Sequence, residues 1–193
     1  MPVMEGAHAD LLREAIAAEA VGHRALLDGD AEGATRALRS AAGLYRASWE
    51  AAPPASYGRL IGLLKASILA GDARAEAAYA AAQIPDEADS PPAAYARAIA
   101  ALVRDDATTA AAATEAMRAG SPPFVRAADA ITALADRDPQ AYAAAIAAIV
   151  DDFAGREAHL TGVPIADTAL MLERLAEPRG LACRPASPLL PAR

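Results

Sequence analysis

The chain has little of what most site chemistry is built from. Cys183 is the only cysteine, so no intramolecular disulfide can form. The three histidines, His8, His23 and His159, lie far apart in the chain, and none has a second His or Cys at ligand spacing. A metal site would therefore have to be assembled from distant carboxylates. Lys65 is the only lysine, every other base is Arg, and nowhere do the bases cluster. With a formal net charge of −7, this argues against a nucleic-acid surface. Aromatic residues make up only 4%, so large side chains cannot dominate the core. The longest apolar run, 141–150, is far shorter than the roughly 20 residues of a membrane span and reads as a buried helix segment. The start Met1-Pro2-Val3-Met4-Glu5 has neither a basic nor an apolar signal region, which gives a cytoplasmic expectation. A Gly-rich phosphate loop, a nucleophile elbow, a two-His zinc helix and a calcium loop are all missing. The expectation is a protein that is not an enzyme, with no catalytic, cofactor-binding or metal residue.

What is abundant is alanine, 58 of 193 residues, within a hydrophobic fraction of 54%. Alanine orders into helix with no side-chain entropy loss, while strand-favouring Val, Ile, Thr and aromatic residues are sparse. An interior of this kind forms by close approach of helix backbones. The near-exclusive use of Arg, with so much Ala, also reads as the coding bias of a GC-rich bacterial genome.

Proline and glycine divide the chain at Pro53-Pro54, Gly71, Pro85, Pro91-Pro92, Gly120, Pro122-Pro123, Pro139, Pro164, Pro178 and Gly180. The intervals predict nine helices, at about 5–28, 31–51, 55–70, 73–83, 92–104, 107–119, 123–136, 139–153 and 165–177. Within them, Phe124, Ala128, Ile131 and Leu134 share one face, as do Tyr95, Ile99, Leu102 and Val103, and Leu60, Ile61, Leu64 and Ile68. Gly58, Gly62, Ala66 and Ala70 form a stripe of small residues that admits a neighbouring helix.

Four segments repeat one pattern: Leu27-Asp28-Gly29-Asp30, Leu69-Ala70-Gly71-Asp72, Val103-Arg104-Asp105-Asp106 and Ala135-Asp136-Arg137-Asp138. Each is expected to end one helix and cap the next, with Asp30, Asp72, Asp106 and Asp138 accepting backbone N–H bonds. The aspartates are spaced by 42, 34 and 32 residues, near the period of tetratricopeptide hairpins. The expected fold is all-α, one domain over 1–193. It consists of stacked helical hairpins at 5–51, 55–83, 92–119 and 123–153, a closing helix at 165–177 and an extended tail at 181–193. Such a chain forms a tetratricopeptide-like, right-handed α-solenoid. The tail is expected to dock through Leu181, Leu189 and Leu190, with Pro185, Pro188 and Pro191 limiting the entropy lost.

Few residues stand out for chemistry. Glu19 and His23 at i, i+4 read as a surface pair and not a catalytic dyad. Asp105-Asp106 and Asp151-Asp152 read as caps and solvated charge. Tyr45 and Trp49 share a helical face and read as bulk between the first two hairpins, with a binding anchor as the rival role.

The C-terminal stretch 160–172, Leu-Thr-Gly-Val-Pro-Ile-Ala-Asp-Thr-Ala-Leu-Met-Leu, continues through Leu175-Ala176 and Gly180-Leu181 to Ser187-Pro188-Leu189-Leu190-Pro191. It resembles the end of bacterial polymorphic-toxin immunity proteins of the immunity protein 49 family, and the helices around 124–134 and 140–153 resemble those before it. The resemblance covers about the last 70 residues. It implies a cytosolic antidote that binds a toxin domain and blocks it without chemistry of its own. The expected partner is thus a protein, with no nucleic acid or membrane. The broader alternative is a helical-repeat adaptor or regulatory module. A rival of another class is an enzyme whose carboxylates meet only in three dimensions.

Overall fold

A computed structural model describes residues 6–192, so the expected helix start at Glu5, the reading of Met1–Glu5 and the tail end at Arg193 lie outside the described residues. The described chain is all-helical and contains no strand. Nine α-helices follow one another: α1 (Ala7–Asp28), α2 (Ala31–Glu50), α3 (Gly58–Leu69), α4 (Arg74–Gln83), α5 (Pro91–Val103), α6 (Ala107–Arg118), α7 (Pro122–Ala135), α8 (Pro139–Ala154) and α9 (Asp167–Ala176). A 3₁₀ turn, Glu177–Arg179, ends α9. Among the described residues no helix is long and apolar enough to cross a membrane.

The four Asp-containing turns are equivalent in their backbone bonding. In each, the Asp N–H donates to the carbonyl five residues back: Asp30 to Ala25, Asp72 to Ser67, Asp106 to Ala101 and Asp138 to Ala133. The residue before the Asp donates to Leu26, Ile68, Leu102 or Leu134 and has positive φ, whether it is Gly29, Gly71, Asp105 or Arg137. This is the Schellman arrangement, which satisfies the last carbonyls of one helix while aiming the chain into the next. Three of the aspartates then cap as expected: Asp30 accepts from Gly33, Asp106 from Thr109, and Asp138 from Gln140 and Ala141. Asp72 does not cap. Helix α4 starts one residue late, with Ala73 at its N-cap position, which leaves Asp72 outside the first turn. The third helix also starts later than expected, at Gly58, because Ala55 adopts positive φ after Pro53-Pro54 and breaks the helical path.

Consecutive helices pack on one another from α1 to α8, and α3 also packs on α5, and α5 on α7. Helix α9 lies against α3, α7 and α8, so the end of the chain returns to its middle. Helices α3 and α5 are buried on nearly every side, which is why their sequences are apolar all round, whereas α4 buries only Ala77 and Ala80. The faces read from the sequence are in place: Ala128, Ile131, Leu134, Ile99, Leu102, Leu60 and Leu64 are almost fully buried. Phe124 meets Tyr95 edge-on, with ring centroids 5.9 Å apart. Small residues let α3 approach α2: a Cβ on Gly62 would lie 2.5 Å from the Tyr45 ring.

The tail docks. Leu181, Leu189 and Leu190 are partly buried against the core, and the Leu189 carbonyl accepts from Ala166 N–H at 2.9 Å. Glu173, itself 8% exposed, receives the backbone N–H groups of Cys183 and Arg184.

Candidate functional site

The return of α9 encloses a cluster of polar side chains that would be expected at a surface. Glu19 and His23 project from successive turns of α1 and are 3% and 1% exposed. The sequence-based reading of this pair as a surface contact is therefore wrong: α2 packs on α1 with Tyr45 against Glu19, and Thr161 lies against His23. Tyr45 of α2 donates to Glu19 Oε2 at 2.7 Å. His23 Nδ1 lies 3.2 Å from the Thr161 hydroxyl, in the loop between α8 and α9. Lys65 of α3 forms an ion pair with Asp167 and donates to the Thr168 hydroxyl at 3.2 Å. Both partners of that ion pair are largely buried, at 13% and 18% side-chain exposure.

Burial sets the charge states. Removal from water pushes the Glu19 carboxyl up to about 7, with Lys65 and the Tyr45 hydrogen bond opposing and Asp167 reinforcing. Desolvation likewise drives the His23 imidazole down to about 4, so it is neutral near pH 7. For Asp167 burial acts upward, but the charge and hydrogen bond of Lys65 outweigh it and hold the carboxyl below its ordinary range. Lys65 is raised for the reciprocal reason, the nearby carboxylates outweighing its desolvation. The cluster thus holds one firm ion pair beside a carboxyl and an imidazole whose charged forms are both disfavoured.

Beside the cluster is a half-open cavity of about 260 Å³. His23, Lys65 and Asp167 form its polar wall, and Ile61, Phe124, Phe153, Val163 and Ile165 its apolar one. Its rim carries Arg156, which lies over the Phe153 ring at 3.6 Å and pairs with Asp152. Asp152 also pairs with Arg126. A second hollow of about 250 Å³ touches Glu19, Tyr45 and Lys65 from the other side, and Leu160 borders both. Three buried polar atoms here lack a hydrogen-bond partner: His23 Nε2, the Tyr95 hydroxyl and His159 Nδ1.

The fold therefore unites His23 and His159, distant in the chain, on one cavity wall, and leaves His8 elsewhere, its Nδ1 3.0 Å from the Arg59 guanidinium. Tyr45 fills space between α1, α2 and α3 as expected, with the added task of holding Glu19. Trp49 stacks on Tyr57 with centroids 5.6 Å apart and stays partly exposed. Asp106 caps α6, Asp105 pairs with Arg179, and Asp152 joins the two arginines. Sequence reasoning missed Lys65 and Asp167. The available signal was Lys65 itself, the one lysine and the one charge inside the apolar run 60–70. Comparison with family models, curated proteins and solved structures gave no match to this chain.

Proposed function

We propose that this protein works by binding another protein, and that the partner is a bacterial toxin domain it neutralises by direct association. The scaffold proposed for that role is a tetratricopeptide-like, right-handed α-solenoid. Its support is the common geometry of the four Asp turns and the side-by-side packing of α3, α5 and α7. Helix α9 packs on α3, α7 and α8, so a partner would engage the surface beside it. The observation that carries the reading is Leu160, 78% exposed on the loop 155–166 and flanked by the two apolar-walled hollows. An exposed Leu alone means little, but one that borders two hollows offers an apolar anchor point for a partner. The net charge of −7 favours a basic partner through faster, steered association.

The test is co-expression with the toxin encoded beside this gene. Growth should be rescued, the two proteins should co-purify, and Leu160→Glu should abolish both while leaving the melting temperature unchanged. Rescue without a complex, or the lack of any neighbouring toxin, overturns the immunity reading. A complex with a non-toxin protein would instead support the adaptor alternative.

A second reading, an enzyme acting on a small molecule, is favoured by the convergence of Glu19, His23, Lys65 and Asp167 at the cavity. His23→Gln separates it from the first: His23 lines the cavity but is only 1% exposed, so the change should remove cavity chemistry while leaving a docked protein partner in place.

A further inference from the structure

We infer that Glu19, His23 and Asp167 form a binding site for one divalent transition-metal ion of the zinc type, closed when α9 packs on the bundle. One ligand atom from each of the three lies within 4.8 Å of the other two. Between Glu19 Oε1 and His23 Nε2 the distance is 3.8 Å. Bonds of about 2.0–2.2 Å in a tetrahedral arrangement place ligand atoms about 3.4 Å apart, so this pair has to close by only about 0.4 Å. The pairs with Asp167, within 4.8 Å, have to close by at most about 1.4 Å, which side-chain rotation supplies.

The independent observation is the orphaned nitrogen. His23 Nε2 is buried without a hydrogen-bond partner, on a ring only 1% exposed. A buried polar atom left unpaired costs about 1–3 kcal/mol, which a ligand at that point would remove. Its other nitrogen is engaged by the Thr161 hydroxyl, and donation from Nδ1–H there would leave the lone pair on Nε2. The two carboxylates are anchored as well, Glu19 by one oxygen and Asp167 by both, so Asp167 would bind the ion through a remaining lone pair. Tyr45 holds Glu19 Oε2, while Lys65 takes Asp167 Oδ2 and the Thr168 N–H bonds Asp167 Oδ1. Three supported ligands thus face one point next to the cavity, which Tyr95 also lines.

A donor set of one imidazole and two carboxylates, with a nitrogen in it, selects zinc-type ions over calcium or magnesium. Charge is compatible as well. Two carboxylates balance a dication, and Lys65 remains on Asp167 Oδ2 as the one excess positive charge.

The experiment is titration of chelator-treated, full-length protein with Zn²⁺ by calorimetry and with Co²⁺ by visible absorption. Saturable one-to-one Zn²⁺ binding is expected, with Co²⁺ bands of low coordination number. Glu19→Gln keeps an acceptor for Tyr45, and Asp167→Asn alters the rim of the cluster, so at least one of the two should remain folded by circular dichroism. Each folded variant should lose at least about tenfold in Zn²⁺ affinity, while His159→Gln stays close to wild type. The inference is overturned if the wild type shows no saturable binding, if a folded Glu19→Gln or Asp167→Asn loses less than about tenfold, or if His159→Gln is the variant that loses affinity.

Discussion

Gly62→Ala adds one methyl group to α3, and the structure sets two opposing consequences against each other. In a helix interior Ala is favoured over Gly by about 1 kcal/mol. Against this, the new Cβ would lie 2.5–2.7 Å from three carbons of the Tyr45 ring, where carbon contacts normally sit at about 3.5–4.0 Å. The ring must retreat by about 1 Å. Its hydroxyl is 2.7 Å from Glu19 Oε2, so the same retreat takes that hydrogen bond beyond its working range. Overpacking costs about 1–3 kcal/mol and an abandoned buried acceptor about 1–3 more. Net destabilisation of about 1–5 kcal/mol follows once the helical gain is subtracted, or a melting temperature roughly 2 to 20 °C lower. Gly43→Ala in α2 is the matched control, since a Cβ there meets nothing within 4 Å. It should stabilise by about 0.5–1 kcal/mol. Urea unfolding midpoints, with the slope unchanged, measure both. If Gly62→Ala is as stable as wild type, Tyr45 is not pinned between α2 and α3 and its hold on Glu19 is not a packing constraint.

Asp138→Ala removes the cap that takes two N–H groups at the start of α8 and should cost about 1 kcal/mol, whereas Asp72→Ala should cost a few tenths at most; chemical denaturation distinguishes them. Arg137→Gly relieves a positive φ of 56° at an exposed turn and should raise stability by about 1 kcal/mol, read from the same unfolding curves. Deleting residues 182–193 strips the buried Glu173 carboxylate of two N–H donors and should lower the melting temperature by at least about 5 °C; an unchanged melt would mean that the tail contributes nothing. In chelator-treated protein, Glu19 is raised to about 7 and His23 lowered to about 4, the two facing Tyr45 from α2, Lys65 from α3 and Asp167 from α9. Between pH 4.5 and 6.5 folding therefore moves a proton from His23 to Glu19 with little net uptake, and their joint contribution should be flat with pH. Glu19→Gln leaves only the depressed imidazole, so that variant should lose stability as pH falls through 6.5 toward about 4, by up to about 3 kcal/mol, measured by urea unfolding across that range.

The helices were legible because their boundaries are chemical: Pro91, Pro122 and Pro139 each open one, and the Asp turns join three pairs with a cap. The late start of α3 was not, because it depends on a positive φ at Ala55, a residue with no special liking for that conformation. The polar cluster was hidden for a different reason. Glu19 and His23 at i, i+4 look the same in sequence on a solvated face or a covered one, and the Thr161 that covers His23 lies 138 positions away. Lys65 and Asp167 carried no motif between them. Only tertiary contact makes them a pair.

The return of α9 to α3 also fixes an order of events during synthesis. Helices α1 to α8 meet mainly their chain neighbours, so they can pack as they emerge. Tyr45 of α2 can reach Glu19 early, but Thr161 and Asp167, which complete the surroundings of His23 and Lys65, arrive only once the end of the chain has been made. A nascent or truncated chain can therefore be helical and hold the Glu19–Tyr45 bond, yet lack the Lys65–Asp167 pair and the His23–Thr161 contact. Completion of that cluster is a late, long-range event, and its appearance reports that the whole chain has closed on itself.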